Sequence, residues 1–191
     1  MDLRVKKTKN SIINAFLQLR AKKPLERITI KELTDLAEIN KATFYLHYKD
    51  IYDLSEQLEN ELFISVFNSI AHPDSVFSEP KLFIKELTEG FIANKSLIDI
   101  IFANERRNIL VDKFENEVRS FIFEKYPHYR DIPTINILLT YIIKGGYYAY
   151  TENYGYDTDT VINIISEMEE GAIEKLRQSA QIPINDSERY I

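Results

Sequence analysis

Cysteine is absent from the 191-residue chain, which excludes a disulfide framework and any thiolate metal site. Glycine and proline are scarce, five and six residues, and nowhere gather into a flexible linker, so helix rather than loose coil is expected to join the parts. No apolar run approaches the ~20 residues that cross a bilayer. The opening MDLRVKKTKN lacks the apolar core of a secretion signal, so a cytoplasmic protein with no membrane partner is expected. The devices of catalysis are missing as well. There is no Gly-rich phosphate loop, no nucleophile elbow and no pair of histidines at metal-ligand spacing, since His47, His72 and His128 lie far apart. No enzyme, cofactor or metal site is therefore expected.

What the chain does have is helical periodicity from end to end, with no sustained alternation of a strand. The most informative stretch is residues 29–54. Ile30, Leu33 and Ala37 recur at three- and four-residue steps, and Phe44 and Tyr48 repeat the step beyond a turn that contains Ile39. Thr29 and Asn40 stand where side-chain oxygens cap the two helices. With Ile39, Phe44 and Tyr48 turned inward, helical geometry leaves Lys41, Ala42, Thr43, Tyr45, Leu46 and His47 outside. Taken singly, Lys41, Tyr45 and His47 are ordinary solvated side chains; in this frame they suit a duplex. A recognition helix enters the major groove with its first residues nearest the bases. There Lys41 can donate to guanine, Thr43 can bond a base or touch a thymine methyl, and small Ala42 allows close approach. Tyr45 and His47 can donate to phosphates, and Lys49 adds positive potential.

The string ITIKELTDLAEINKATFYLHYKDIYDL resembles the DNA-binding signature of the TetR/AcrR family of one-component bacterial regulators, in which a similar TFYxHYK or LYxHFK closes the motif. The resemblance covers about the first quarter to third of the chain. It implies that Thr29 and Tyr45 bind phosphates, that Lys41, Ala42 and Thr43 face bases, and that His47 and Lys49 flank them. The DNA-binding set is thus Thr29, Asn40, Lys41, Ala42, Thr43, Tyr45, Leu46, His47 and Lys49. Two positions depart from the family pattern. Glu38 stands where glycine is usual, so either a left-handed backbone there is strained or the turn differs. Ile51 replaces a second lysine that many members carry, which removes one phosphate contact.

Charge is distributed in keeping with a reader of nucleic acid. Residues 1–50 hold eleven Lys and Arg against six Asp and Glu, whereas the remainder holds thirteen against twenty-four. Arg4, Lys6, Lys7 and Lys9 form a basic amino-terminal arm. A first helix carries Val5, Ile12, Ile13, Phe16 and Leu17 over the two that follow. Asp50 caps a fourth, bearing Leu54, Leu58, Leu62, Val66 and Ile70 toward a break at His72-Pro73. Later helices are expected beyond Pro80, at 97–102, 109–126, 134–153 and 157–180. The sum is an all-α protein of about nine helices. A three-helix helix-turn-helix domain occupies residues 1–50, a larger helical effector-binding and dimerisation domain 51–183, and a frayed tail 184–191.

The last two helices carry more apolar residues than one core needs, and a homodimer is expected there through Ile142, Gly146, Ile165, Met168 and Ala172. The alternative is that both helices complete a monomer core; the dimer is preferred because one short recognition helix makes too few contacts for useful specificity. Gly145, Gly146 and Gly171 suit close approach. A two-fold dimer matches a pseudo-palindromic double-stranded DNA operator. The body is rich in aromatics, most of them core, and Phe91, Phe102, Phe114, Tyr141, Tyr147 and Tyr148 are candidates to line a pocket for a small-molecule effector. The family resemblance places such a pocket among helices five to eight. The neighbouring acids Glu167, Glu169 and Glu170 are read as a wet helix face. The function expected is a sequence-specific transcriptional regulator, a repressor released from its operator by the effector. Glu38 and Ile51 keep open a family-fold protein that has lost DNA and acts as a protein-binding coactivator. A small helical enzyme is the least supported reading.

Overall fold

A computed structural model describes residues 3–103, 106–153 and 155–178, with backbone alone at 107 and 108. The described residues form ten α-helices and no strand. These are α1 (Leu3–Arg20), α2 (Ile30–Leu36), α3 (Lys41–Tyr45), α4 (Ile51–Asn68), α5 (Ser75–Ser78), α6 (Pro80–Ala93), α7 (Lys95–Ile101), α8 (Arg107–Lys125), α9 (Pro133–Thr151) and α10 (Thr158–Gln178). The helix beyond the nine expected is α5, a single turn. Val76 and Phe77 are buried, and Ser75 Oγ donates to the His72 carbonyl at 2.7 Å, so a segment that reads as a break is wound into one turn by burial and a local bond. The expected tail at 184–191 lies outside the described residues.

The chain divides into two compact units, one of Met1–Ile64 with Asn94–Arg107 and one of Ser65–Ala93 with Asn108–Ile191. The boundary expected at residue 50 is therefore displaced. Most of α4 and all of α7 belong with the amino-terminal helices, because apolar burial groups them. Ile98, Ile101 and Phe102 are almost fully buried, α7 packs on α1, and the Phe102 ring lies 6.1 Å from that of Phe63. Polar groups reinforce the grouping. Arg20, 1 % exposed, donates to the Ala103 carbonyl at 2.8 Å and to the Lys23 carbonyl at 3.2 Å. Glu59 has no exposed surface, accepts from Ser55 Oγ at 2.9 Å and is paired with Arg106. A buried charge without such partners would be strongly unfavourable.

Within the first unit, α1 buries Ile12, Ala15 and Phe16, and α2 packs on both α1 and α3. Val5 remains exposed, so the buried stripe begins later than the periodicity suggests. Arg4, Lys6 and Lys7 sit on the first turns of a regular helix, not on an extended arm. In the second unit, α10 lies against α6 and α9, and α8 adds aromatic contacts: Phe114 lies 5.2 Å from Phe91, and Phe121 5.1 Å from Phe67. No helix among the described residues is long and apolar enough to cross a membrane.

Glu38 stands in the turn after α2 with φ 54°, the left-handed region. Two backbone bonds hold it there: Ile39 N donates to the Thr34 carbonyl at 3.0 Å, and Glu38 N to the Asp35 carbonyl at 3.3 Å. This is the helix-ending pattern that glycine usually completes, and a Cβ makes it strained. Glu38→Gly is expected to raise the stability of the native protein by about 1 kcal/mol, measured by urea unfolding of the purified chain. A fall in stability would show that the turn does not hold this backbone in solution.

Candidate functional site

The turn at Glu38 delivers the chain to α3, whose first turn is capped by the residue before it. Asn40 Oδ1 accepts from Thr43 N at 2.7 Å, and α2 begins with a reciprocal cap in which Thr29 Oγ1 accepts from Glu32 N and Glu32 Oε2 accepts from Thr29 N, both at 3.2 Å. Glu32 also receives Lys23 at 2.7 Å; that bond and those from Thr29 hold its carboxyl below the usual range. On α4, Asp50 accepts from Asp53 N at 2.8 Å, as its capping position predicts, and Asp53 accepts from Lys49 N at 2.7 Å.

Phe44 is fully buried and Tyr48 nearly so, which orients the rest of α3 outward. Asn40, Lys41, Ala42, Tyr45, Leu46 and Lys49 are exposed, as is Glu38 in the turn, while Thr43 and His47 are half-buried along the same surface. The nine residues assembled from the sequence thus lie along the two short helices, their turn and the segment leading to α4. Two hydroxyls are already engaged. Thr43 Oγ1 donates to Asn40 Oδ1 at 3.0 Å, leaving its lone pairs and methyl for a partner, and Thr29 Oγ1 donates to Glu32 Oε2 at 2.9 Å. Ile51, at the start of α4, is buried in the core.

The second unit contains a cavity lined by α5, α6, α8, α9 and α10. Its volume is about 80 Å³, within about 680 Å³ of empty space once its solvent-facing mouth is counted. The wall is apolar, from Phe83, Leu87, Val118, Leu139, Ile143 and others, with Thr88, Tyr147 and Glu169 as its polar side chains. Of the six aromatic candidates, Phe114 and Tyr147 line it. Phe91 stands behind them, its ring edge-on to Tyr147 at 6.0 Å. The other three are corrected by the fold. Phe102 is in the core of the first unit, and Tyr141 and Tyr148 project outward, 62 % and 50 % exposed, because they occupy the face of α9 that α6 and α10 leave uncovered.

That outer face of α9 and α10 also exposes Ile137, Ile164 and Met168. Among the candidates for a dimer contact, Met168 is exposed and Ala172 and Gly146 are partly so. Ile165 is buried with Val161 and Tyr150, and Ile142 helps line the cavity, so neither is an outward residue of this face. Gly145 and Gly171 face open space, whereas a Cβ on Gly146 would collide with Glu169 Oε1.

Glu169 is the residue that the sequence misplaces. Glu167 is on the wet face, where it pairs with Lys81 at 3.0 Å, but Glu169 is only 6 % exposed. The signal was periodicity: Glu169 falls four residues from Ile165 and four from Ile173, both buried. Burial pushes its carboxyl up to about 8. Compared with known proteins, the chain matches no family model and no curated sequence.

Because the folded pKa of Glu169 exceeds that of an unfolded glutamate, the native state binds the extra proton between pH 4.5 and about 8. Its contribution is complete below that window and is lost as pH rises through it, at up to ~1.4 kcal/mol per pH unit. The depressed carboxyls of Glu32, Asp53 and Asp157 act the opposite way, losing their contribution as acid protonates them at lower pH. Stability should therefore decline between pH 5 and 8 in the native chain and be flatter in Glu169→Gln, as read from urea midpoints across that range. Equal slopes in the two proteins would mean that Glu169 is not buried.

Proposed function

We propose that the chain is a DNA-binding transcriptional regulator of the TetR/AcrR type, acting as a homodimer whose affinity for a pseudo-palindromic operator is lowered by a small molecule. The observation that carries the proposal is the sorting of residues on α3. Phe44 and Tyr48 are buried while Lys41, Ala42, Tyr45 and Leu46 stand in solvent beside Lys49. α2 and α3 act as a helix-turn-helix with α3 in the major groove. Lys41, Ala42 and Thr43 read bases, and Tyr45, His47 and Lys49 hold phosphates. Thr43, whose proton is committed to Asn40, reads as an acceptor or through its methyl. The balance of basic residues before residue 50 against acidic residues after it supports the same assignment.

The coactivator alternative rests on Glu38 and Ile51, and the backbone and burial at these positions are compatible with the regulator. Glu38 adopts the backbone that glycine would supply, and Ile51 adds to the core.

Dimerisation uses the outer face of α9 and α10, where Ile137, Tyr141, Tyr148, Ile164 and Met168 are exposed and Gly145 and Gly171 leave room for a second backbone. The apolar cavity is the effector site. An effector that favours one of two dimer conformations, with DNA favouring the other, makes the two ligands antagonistic by linkage.

Tyr45→Phe is expected to weaken binding to all duplexes alike. Thr43→Ala is expected to relax preference at one base position by ~1–3 kcal/mol if that contact is well packed. Both are read by gel shift on duplexes selected from a random pool and on single-base variants of them. A uniform effect from Thr43→Ala as well would remove its base-reading role. Failure of the native protein to retain any duplex in dilute buffer would remove the proposal.

A further inference from the structure

The cavity holds one feature that the effector role leaves unexplained, a carboxylate in an apolar wall. Glu169 makes no hydrogen bond and no ion pair among the described residues. It lies against Gly146, whose missing side chain makes room for Oε1, and it lines both the cavity and the shallow hollow outside it. Among the described residues, no lysine or arginine lines the cavity. On the surrounding helices Lys81 pairs with Glu167, Lys85 with Glu89, Lys125 with Asp74, Lys144 with Asp112, Arg119 with Glu115 and Arg177 with Glu174, and Lys113 is not without a partner. Lys175 lies beside a different hollow. Of the other polar groups in the wall, the Thr88 hydroxyl donates to the Ile84 carbonyl at 2.8 Å, and Tyr147 follows Gly146 directly on α9.

We propose that this cavity binds a monocationic amine with an apolar body, its ammonium paired with Glu169 and its hydrocarbon portion against the surrounding apolar walls. The inference rests on the cavity being the effector site and names the class of effector. A buried carboxylate is strongly disfavoured without a counter-charge, and a ligand ammonium supplies the one that the protein does not. The rings of Tyr147 and Phe114 stand in the same lining, and a cation that meets a ring face there gains further attraction. A neutral acceptor gains only one ordinary hydrogen bond from the protonated acid, and a carboxylate ligand would set two like charges together.

At neutral pH Glu169 is largely protonated, so an alkylammonium binds with loss of that proton to solvent. The neutral carboxylic acid and the free alkylammonium become a paired carboxylate and alkylammonium, and one proton is released; the ligand keeps its own. Affinity for the ammonium should rise by about tenfold per unit from pH 6 toward 8 and then level off, since the carboxyl titrates at about 8.

The test is calorimetric titration of the full chain with n-hexylammonium chloride, 1-hexanol and sodium hexanoate at pH 7, in two buffers of different ionisation heat. The expected result is that hexylammonium binds at least about tenfold more tightly than hexanol, with close to one proton released. Glu169→Gln should remove that preference and the proton release while leaving hexanol binding intact. Gly146→Ala, which displaces the carboxylate without removing it, should also weaken the amine. Hexanol or hexanoate binding as tightly as the amine, an amine bound without proton release, or no binding by any of the three overturns the assignment. So does Glu169→Gln that alters dimer dissociation and leaves the amine untouched, because the carboxylate would then serve the contact between copies. Gel shift of the unliganded protein separates the two proposals. Duplex binding without amine binding removes only the ligand class, and amine binding by a protein that ignores every duplex removes only the regulator.

Discussion

A helix of five residues cannot hold itself together, because the cost of its first turn exceeds what so few bonds return. The direction of α3, and with it the whole basic surface, therefore depends on the burial of Phe44. That ring has no exposed surface and stands 5.7 Å from Tyr48 and 5.6 Å from Tyr45, edge-on to the latter. Leu33 of α2 and Phe16 and Ile12 of α1 are equally buried and belong to the same unit. Once that core is made, Asn40, Thr29 and Asp50 satisfy the amides at the starts of the three helices that follow α1. The strained backbone at Glu38 persists because everything around it requires the turn to close there.

The second unit applies the same physics to a different end. Five helices line an apolar cavity, and the one carboxylate in its wall among the described residues sits where glycine on the neighbouring helix leaves space. A side chain that ionises in water is held mostly neutral at neutral pH by its surroundings, so it can change charge when a ligand changes those surroundings. On the outer side of the same two helices, uncovered apolar residues suit a second copy of the chain. The cavity and the hollow beside it share Gly146, Ile165 and Glu169. The proposed ligand site and the proposed contact between copies both involve α9 and α10, which lets one bear on the other.

Legibility differed between the two units. The caps at Thr29, Asn40 and Asp50 follow from side-chain chemistry within one turn, and all three bonds form. The outward set on α3 follows from helical geometry once Phe44 and Tyr48 are taken as buried. The pocket was less legible. Phe102, Tyr141 and Tyr148 have the same composition signal as Phe114 and Tyr147 but lie in the other unit or on the outer surface. Aromatic density says that a body has a core without saying which ring meets the void. Glu169 was misassigned because its neighbours Glu167 and Glu170 suggested a solvated run, although its spacing from Ile165 and Ile173 put it on the buried stripe.

The all-helical class, the caps at Thr29, Asn40 and Asp50 and the outward turn of Lys41, Ala42, Tyr45 and Leu46 were determined by the sequence alone, because each depends on groups within a few positions of one another. Only the tertiary structure decided that α7 joins the amino-terminal unit, that α5 winds into a turn, and that Glu169 faces a cavity beside Gly146. Those outcomes depend on which apolar surfaces meet across long separations in the chain. Burial, unlike capping, is a property of the neighbours a residue acquires.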